Sequence, residues 1–371
     1  MNATIPVSEP LLTEADYASV MGALKSGWIS GAGPHVEAFE SQWAAYCGRK
    51  HGVALANGTV ALQVAVSLLD LQPGDEVIMP TFTIISCILP VVLAGATPVL
   101  VDSDSQSWTM NVEQVAARVT PRTRAIMPVH VYGHPVDMDP LLDLARRYHL
   151  AIVEDAAEAH GAEYRGRRAG SFGTSSCFSF YANKLVTTGE GGMLLVDDDD
   201  LAAHARRLRN LGFQPGRRFL HAELGFNFRL TNLQAALGVT QIDRMDDIVE
   251  RKRRLGQAYT DRLSEMAGLE LQVQQPWARS VYWMYGVVVR EETGLDAAEL
   301  GRRLADKGVE TRPFFLGMHE QPALRKRGLF EGESYPVAER IARQGLYLPS
   351  GLGLGEAEID RVCQAVREVL G

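Results

Sequence analysis

The strongest constraint on the fold is an alternation that runs from Val53 to Val153. Short apolar runs at residues 53–55, 76–79, 98–101, 125–129 and 150–153 read as strands. Helical stretches fall between them, at 60–69, within 81–93, at 112–118 and at 140–148. Strands separated by helices are joined by crossovers, so neighbours run parallel and helices cover both sheet faces. The expected fold class is therefore α/β with a mostly parallel sheet. The uncharged run 77–101 does not read as a membrane span, because Pro80, Pro90, Gly95 and Pro98 break it.

A chain of 371 residues exceeds one ordinary core. We expect a large ligand-binding domain over residues 1–248 and a smaller α+β domain over 249–371. The first residues are expected either in the large domain or packed on the small one. Thr13 is placed to cap a helix over 13–25. Helices are expected at 232–245 and 247–266, the second bridging the domains. A strand at 280–290, a helix at 296–307, a short strand at 309–311 and helices at 334–345 and 356–370 follow. The formal charge of −8 argues against nucleic acid. The N-terminal residues lack the pattern of a secretory signal. Cys47, Cys87, Cys177 and Cys363 are too scattered for a disulfide framework or a metal site, which points to a reducing, cytoplasmic setting.

Open α/β sheets place ligands beyond the carboxyl ends of their strands. At one such end Asn57-Gly58-Thr59 precedes a helix, and the turn is either an anion site or a plain helix cap. At another, Glu154-Asp155 leads into small residues. Asp155 is either a cap or a carboxylate paired with a cationic ring nitrogen. The stretch GSFGTSSCFSFYANKLVTTGEGGMLL holds one lysine, Lys184, between apolar segments. That lysine either snorkels to water or is a partly desolvated amine of lowered pKa, suited to a Schiff base with a carbonyl or with pyridoxal phosphate. Lys184 and Asp155 together supply the amine and the ring partner of a pyridoxal phosphate site. Asp197–Asp200 and Arg206, Arg207 and Arg209 read as solvated surface.

Seven blocks extend this reading: SGWISGAGPHVEAFE, ALANGTVALQVAV, GDEVIMPTFT, EDAAEAHGAEY, GSFGTSSCFSFYANKLVTTGEGG, GFNFRLTNLQAALG and TRPFFLGMHEQP. In this order they resemble the DegT/DnrJ/EryC1/StrS family of pyridoxal-phosphate-dependent nucleotide-sugar aminotransferases. The resemblance implies the type I aminotransferase fold, with a mixed seven-stranded sheet, and a homodimer with active sites at the interface. It implies Lys184 as the lysine that binds the cofactor and Asp155 as the partner of its ring nitrogen. Gly58, Thr59 and Ser179 would hold the phosphate, and Glu158 would approach the ring. Asn227, with Arg229 as the alternative, would reach the phosphate from the partner subunit. Arg312 and His319 would face the substrate. The family's ring-stacking aromatic position falls on Ile84, so either Ile84 packs on the ring or Phe82 does. Within the family, EDAAEAHG and VETRPFFLGMHEQP carry a closer likeness to members that act on the C4 keto group of GDP-4-keto-6-deoxymannose, and the resemblance implies that acceptor, with L-glutamate as the expected donor. Another nucleotide, amination at C3, an eight-carbon keto sugar, or a non-catalytic cofactor-binding regulator are the alternatives.

Overall fold

The computed structural model describes residues 4–214 and 216–371. Residues 1–3 and Pro215, which the expected large domain includes, lie outside the described residues. Seven strands form the main sheet: β1 (His51–Leu55), β2 (Glu76–Pro80), β3 (Thr97–Val101), β4 (Thr123–Ile126), β5 (Ala151–Asp155), β6 (Ser175–Ser179) and β7 (Gly192–Val196). Their spatial order is β1-β7-β6-β5-β4-β2-β3. β7 runs antiparallel to both neighbours, and the other pairs are parallel. The sheet is thus mixed and mostly parallel, as expected. Every residue of β2 and β7 is buried, as a sheet covered on both faces requires.

This topology decides where the chemistry can sit. β1, β2, β4, β5 and β6 all point the same way, so their carboxyl ends share one edge. Asn57, Thr81–Ser86, His130, Asp155 and Ser179 leave the sheet there. The reversal between β6 and β7 puts residues 180–191, with Lys184, on that same edge. Gly192 pairs with both Leu55 and Ser179. A Cβ on Gly192 would lie 2.2 Å from the Asn57 carbonyl oxygen, so the strand ends close up only with glycine there.

Helices α1 (Glu14–Ser26), α2 (Pro34–Tyr46), α3 (Gly58–Ser67) and α4 (Asn232–Ile242) pack around β1, β6 and β7 or on one another. Thr13 begins α1 as expected: its N–H and hydroxyl both donate to Asp16 Oδ2, at 2.6 and 2.9 Å. Helix α5 (Met245–Leu263) contributes Met245, Ile248 and Val249 to the core around the main sheet. Its Leu255, Tyr259 and Leu263 enter a second core. That core lies against an antiparallel sheet of order β8-β9-β11-β10, made of β8 (Leu269–Leu271), β9 (Tyr285–Val289), β10 (Arg312–Pro313) and β11 (Gly345–Leu348). Ile5 joins this second core and bridges Val309 in parallel. No described helix is long and apolar enough to cross a membrane.

Three sequence expectations change. The strand expected over 280–290 begins only at Tyr285, because Tyr282 takes a left-handed φ of 47° that interrupts the run. The short strand expected at 309–311 forms at Arg312–Pro313 instead. The arginines of the helix Asp199–Arg209 are not plain solvated surface. Arg209 pairs with Glu40 and donates to the Ala54 carbonyl at 2.9 Å, Arg206 donates to the Gly52 carbonyl at 3.2 Å, and Arg207 pairs with Glu223 at 2.8 Å. Arg206 and Arg209 therefore brace β1, while Asp199 stays exposed against Lys50 and His51.

Candidate active site

At the shared strand edge lies a cavity of about 650 Å³. That volume is within the range of small-molecule sites. Gly58, Thr59, Ile84, Asp155, Glu158, Ser179 and Lys184, seven of the residues singled out in the sequence, line it. At one end, β1 turns through Asn57 into α3. The Asn57 side chain accepts the Val60 N–H at 3.0 Å, and the preceding N–H groups have no partner within the helix. A Cβ on Gly58 would lie 2.8 Å from Ser179 Cβ, so only glycine lets β6 close on the turn. Thr59 Oγ1 and Ser86 Oγ are 2.8 Å apart beside it. Free amides, hydroxyls and a helix N-terminus make an anion cradle. Asn57 is thus a cap and part of a cradle together.

The opposite wall carries the titratable groups. Successive strand residues face opposite sides of a sheet. Glu154 accordingly turns away from Lys184, to the Gly170 and Phe172 N–H groups and to His130 Nε2, at 2.8 Å from the last. His130 Nδ1 accepts the Val136 N–H, so its proton sits on Nε2 and is donated to Glu154. Asp155 Oδ2 accepts from the Cys87 thiol at 2.9 Å, and Oδ1 from the Ala157 N–H at 3.0 Å. Burial nonetheless raises the Asp155 pKa, against the lowering by these bonds and by Lys184.

Lys184 Nζ is 3.7 Å from Glu158 Oε1, and both side chains are nearly enclosed. Burial lowers the lysine pKa, opposed by the two carboxylates. Glu158 also accepts the Tyr132 N–H at 2.7 Å, yet burial raises its carboxyl to about 7. Tyr132 presents that N–H from a left-handed φ of 55°, with Gly133 at 88° beside it. A Cβ on Gly133 would meet Val281 Cγ2 at 2.7 Å and the Trp283 nitrogen at 2.9 Å. Gly133→Ala is expected to cost about 1–3 kcal/mol in urea unfolding, through strain at positive φ plus these contacts.

The raised Glu158 pKa gives a pH signature to the cofactor-free protein. The folded state holds this proton more tightly than the unfolded chain. The stability it contributes is therefore full below the ordinary carboxylate range and is lost as pH rises toward about 7. Relative to Glu158→Gln, the wild type should lose about 2–3 kcal/mol between about pH 4 and about pH 8, read by urea unfolding at each pH.

Apart from Ile84, the remaining sequence candidates lie elsewhere. Ile84 faces the cavity, whereas Phe82 is fully buried among Tyr132, Phe314 and Phe315. Arg229 bridges Leu55 through its backbone and donates from Nη1 to Asn210 Oδ1, while Asn227 bridges Asn210, so neither lines this chain's cavity. Arg312 is exposed and paired with Glu310 at 2.6 Å. His319 is not a substrate-facing group here. It is buried, with Nδ1 2.7 Å from Thr81 Oγ1 and Nε2 3.2 Å from Glu339, so both nitrogens are satisfied inside the fold. Sequence reasoning missed Trp283, Phe315 and Tyr347, which reach the cavity from the second sheet, as well as Ser86 and Cys87.

The residues fit pyridoxal phosphate: an anion cradle at one end, a buried carboxyl with no direct ion pair among the described residues, and a desolvated amine. The chain matches the DegT/DnrJ/EryC1/StrS aminotransferase family over residues 10–367. It belongs to that family. This family member is an aminotransferase, and its cofactor is pyridoxal phosphate. It is 42% identical to GDP-perosamine synthase of Caulobacter vibrioides, over 99% of this chain and 98% of that protein. It is 40% identical to dTDP-3-amino-3,4,6-trideoxy-alpha-D-glucose transaminase of Streptomyces venezuelae, over 97% and 93%. The crystal structure of S. venezuelae DesV in complex with a ketimine intermediate superposes with a TM-score of 0.89 at 39% identity, covering 96% of this chain and 94% of that one.

Proposed function

We propose that the enzyme moves the amino group of L-glutamate to the C4 keto group of GDP-4-keto-6-deoxy-D-mannose, giving GDP-perosamine and 2-oxoglutarate. The observation that carries the choice of sugar is the end-to-end likeness to a relative named GDP-perosamine synthase. A dTDP-linked keto sugar is the second reading, favoured by the 40% identical dTDP-sugar transaminase. A cytoplasmic setting belongs to the proposal and is supported by four free, buried cysteines.

When bound, pyridoxal phosphate supplies an aldehyde that carries the amino group and a cationic ring that takes up an electron pair from the substrate carbon. Lys184 would hold the cofactor and, once displaced by the donor, take the proton from the donor's Cα at Nζ. Its burial serves this role, since a lysine of ordinary pKa would remain charged and inert. Glu158, raised to about 7 beside it, would share that proton. Asp155 would keep the ring nitrogen protonated, and the cation so held would relieve the buried carboxylate. Thr59, Ser86, Ser179 and the start of α3 would bind the phosphate, and Ile84 would pack on the ring.

A homodimer completes the proposal. Trp28, Phe219 and Leu224 are 57%, 75% and 94% exposed, which suits an interface better than solvent. Asn227 and Arg229, near this face, would enter the partner's cavity. Light scattering should give twice the mass of one chain.

The test is a panel. The purified enzyme is incubated with L-glutamate and each candidate keto-sugar nucleotide, and products are identified by mass and NMR. Amination of the GDP-linked sugar at C4 with the highest kcat/KM supports the assignment. Preference for a dTDP-linked sugar would replace it with the second reading.

A further inference from the structure

Trp283 sits on the stretch that leads into β9, and its ring is buried. The ring face lies against the reactive amine: Lys184 Nζ is 3.6 Å from its centroid. The indole Nε1–H donates to the Asn183 carbonyl at 2.9 Å, one residue before the lysine. The ring also stacks on Tyr132, centroids 6.3 Å apart. Its backbone is held by the close approach of Gly133, whose carbonyl accepts the Val281 N–H at 3.1 Å. The amine therefore stands between a carboxyl, Glu158, and the negative face of an indole. An ammonium is attracted to such a face far more than an uncharged amine is.

We propose that Trp283 is a positioning residue for Lys184: its N–H fixes the backbone that carries the lysine, and its ring face seats Nζ and favours the protonated amine. The proposal rests on Lys184 being the cofactor-binding amine. The ring acts among other charges, which have to be separated from it. Glu158 and Asp155 favour the ammonium, and burial opposes it. The Cys87 thiol and the His160 ring, the latter lowered to about 3 by burial, also face the amine. Lys252 shares a small chamber behind Lys184 with Glu9, and burial lowers its pKa to about 7. At the cavity wall His130, Glu190, Tyr181 and Tyr347 complete the ionisable surroundings. An apolar replacement at 283 removes none of these groups.

The test is competitive acetylation of the cofactor-free protein across a pH series, with the Lys184 peptide quantified by mass spectrometry and exposed Lys326 as reference. Trp283→Leu should lower the Lys184 midpoint by about one pH unit, the size expected for loss of a desolvated cation–π contact. Trp283→Phe keeps a ring face and should retain most of the wild-type midpoint. Tetrafluorinated tryptophan installed at 283 keeps shape and N–H while removing the negative face. It should shift the midpoint as Leu does, and it guards against a Leu variant that fails to fold. An unchanged or raised midpoint with the fluorinated ring overturns the proposal. So does a Phe variant that shifts as far as Leu. Borohydride reduction of the loaded wild type separates the two levels. Cofactor on Lys184 with an unresponsive midpoint removes only the role of Trp283, whereas cofactor absent from Lys184 removes the assignment beneath it as well.

Discussion

Lys184→Ala is expected to fold like the wild type and to lose transaminase turnover by about four orders of magnitude or more. The loss is expected to be large because the lysine would have two linked tasks, holding the cofactor and moving the Cα proton. Glu158, the neighbouring titratable group, can accept a proton but cannot hold an aldehyde. The fold should survive because the side chain borders a cavity rather than the packed core and its ammonium is disfavoured by burial. Truncation leaves the Tyr181 carbonyl to Lys184 N–H bond of 2.9 Å in place, since that bond is made by the backbone. Circular dichroism and thermal unfolding of the cofactor-free variant should match the wild type within a few degrees, while coupled detection of 2-oxoglutarate falls to background. Comparable loss of fold and turnover would mean that Lys184 is structural.

Asp155→Asn carries the second largest expected effect, a fall in kcat of about a thousandfold. An amide fills the same space but cannot hold a proton on a ring nitrogen. The bond from Ala157 N–H can persist to an amide oxygen, and the Cys87 contact is a weak one, so stability should change by no more than about 1–2 kcal/mol. The pH dependence adds a sign. Burial raises the Asp155 pKa in the cofactor-free fold, so the wild type loses more stability than the variant as pH rises past the ordinary carboxylate range, the part that Glu158 contributes being common to both. Above that range the cofactor-free variant should be as stable as the wild type or more so. A variant that keeps wild-type kcat would show that Asp155 does not serve the ring.

The sequence showed what depends on period and punctuation. Alternating apolar runs gave the sheet, and a parallel sheet gave the edge at which Asn57, Asp155 and Lys184 had to meet. What it did not show depends on contacts between distant segments. Trp283 lay inside a run that reads as continuous strand, since propensity cannot register the left-handed turn at Tyr282. His319 stands in a block whose resemblance suggests substrate contact, yet Thr81 and Glu339, far away in sequence, take both its nitrogens. Arg206 and Arg209 look like a solvated basic face until β1 is seen beside them, offering the Gly52 and Ala54 carbonyls. The choice between Ile84 and Phe82 was a matter of register. The structure turns Phe82 into an aromatic cluster with Tyr132, Phe314 and Phe315 and leaves Ile84 at the cavity. An aliphatic residue packed on a cofactor ring there would forgo about 1 kcal/mol of stacking relative to an aromatic one.

Everything proposed for this site requires that one buried amine take up the cofactor. The most direct measurement is borohydride reduction of the holoenzyme followed by peptide mapping. A pyridoxyl group is expected on Lys184 and none on Lys252, the buried lysine that lines a small chamber with it. An adduct on Lys252 or another lysine, or a protein left unlabelled after loading with cofactor, would contradict that requirement.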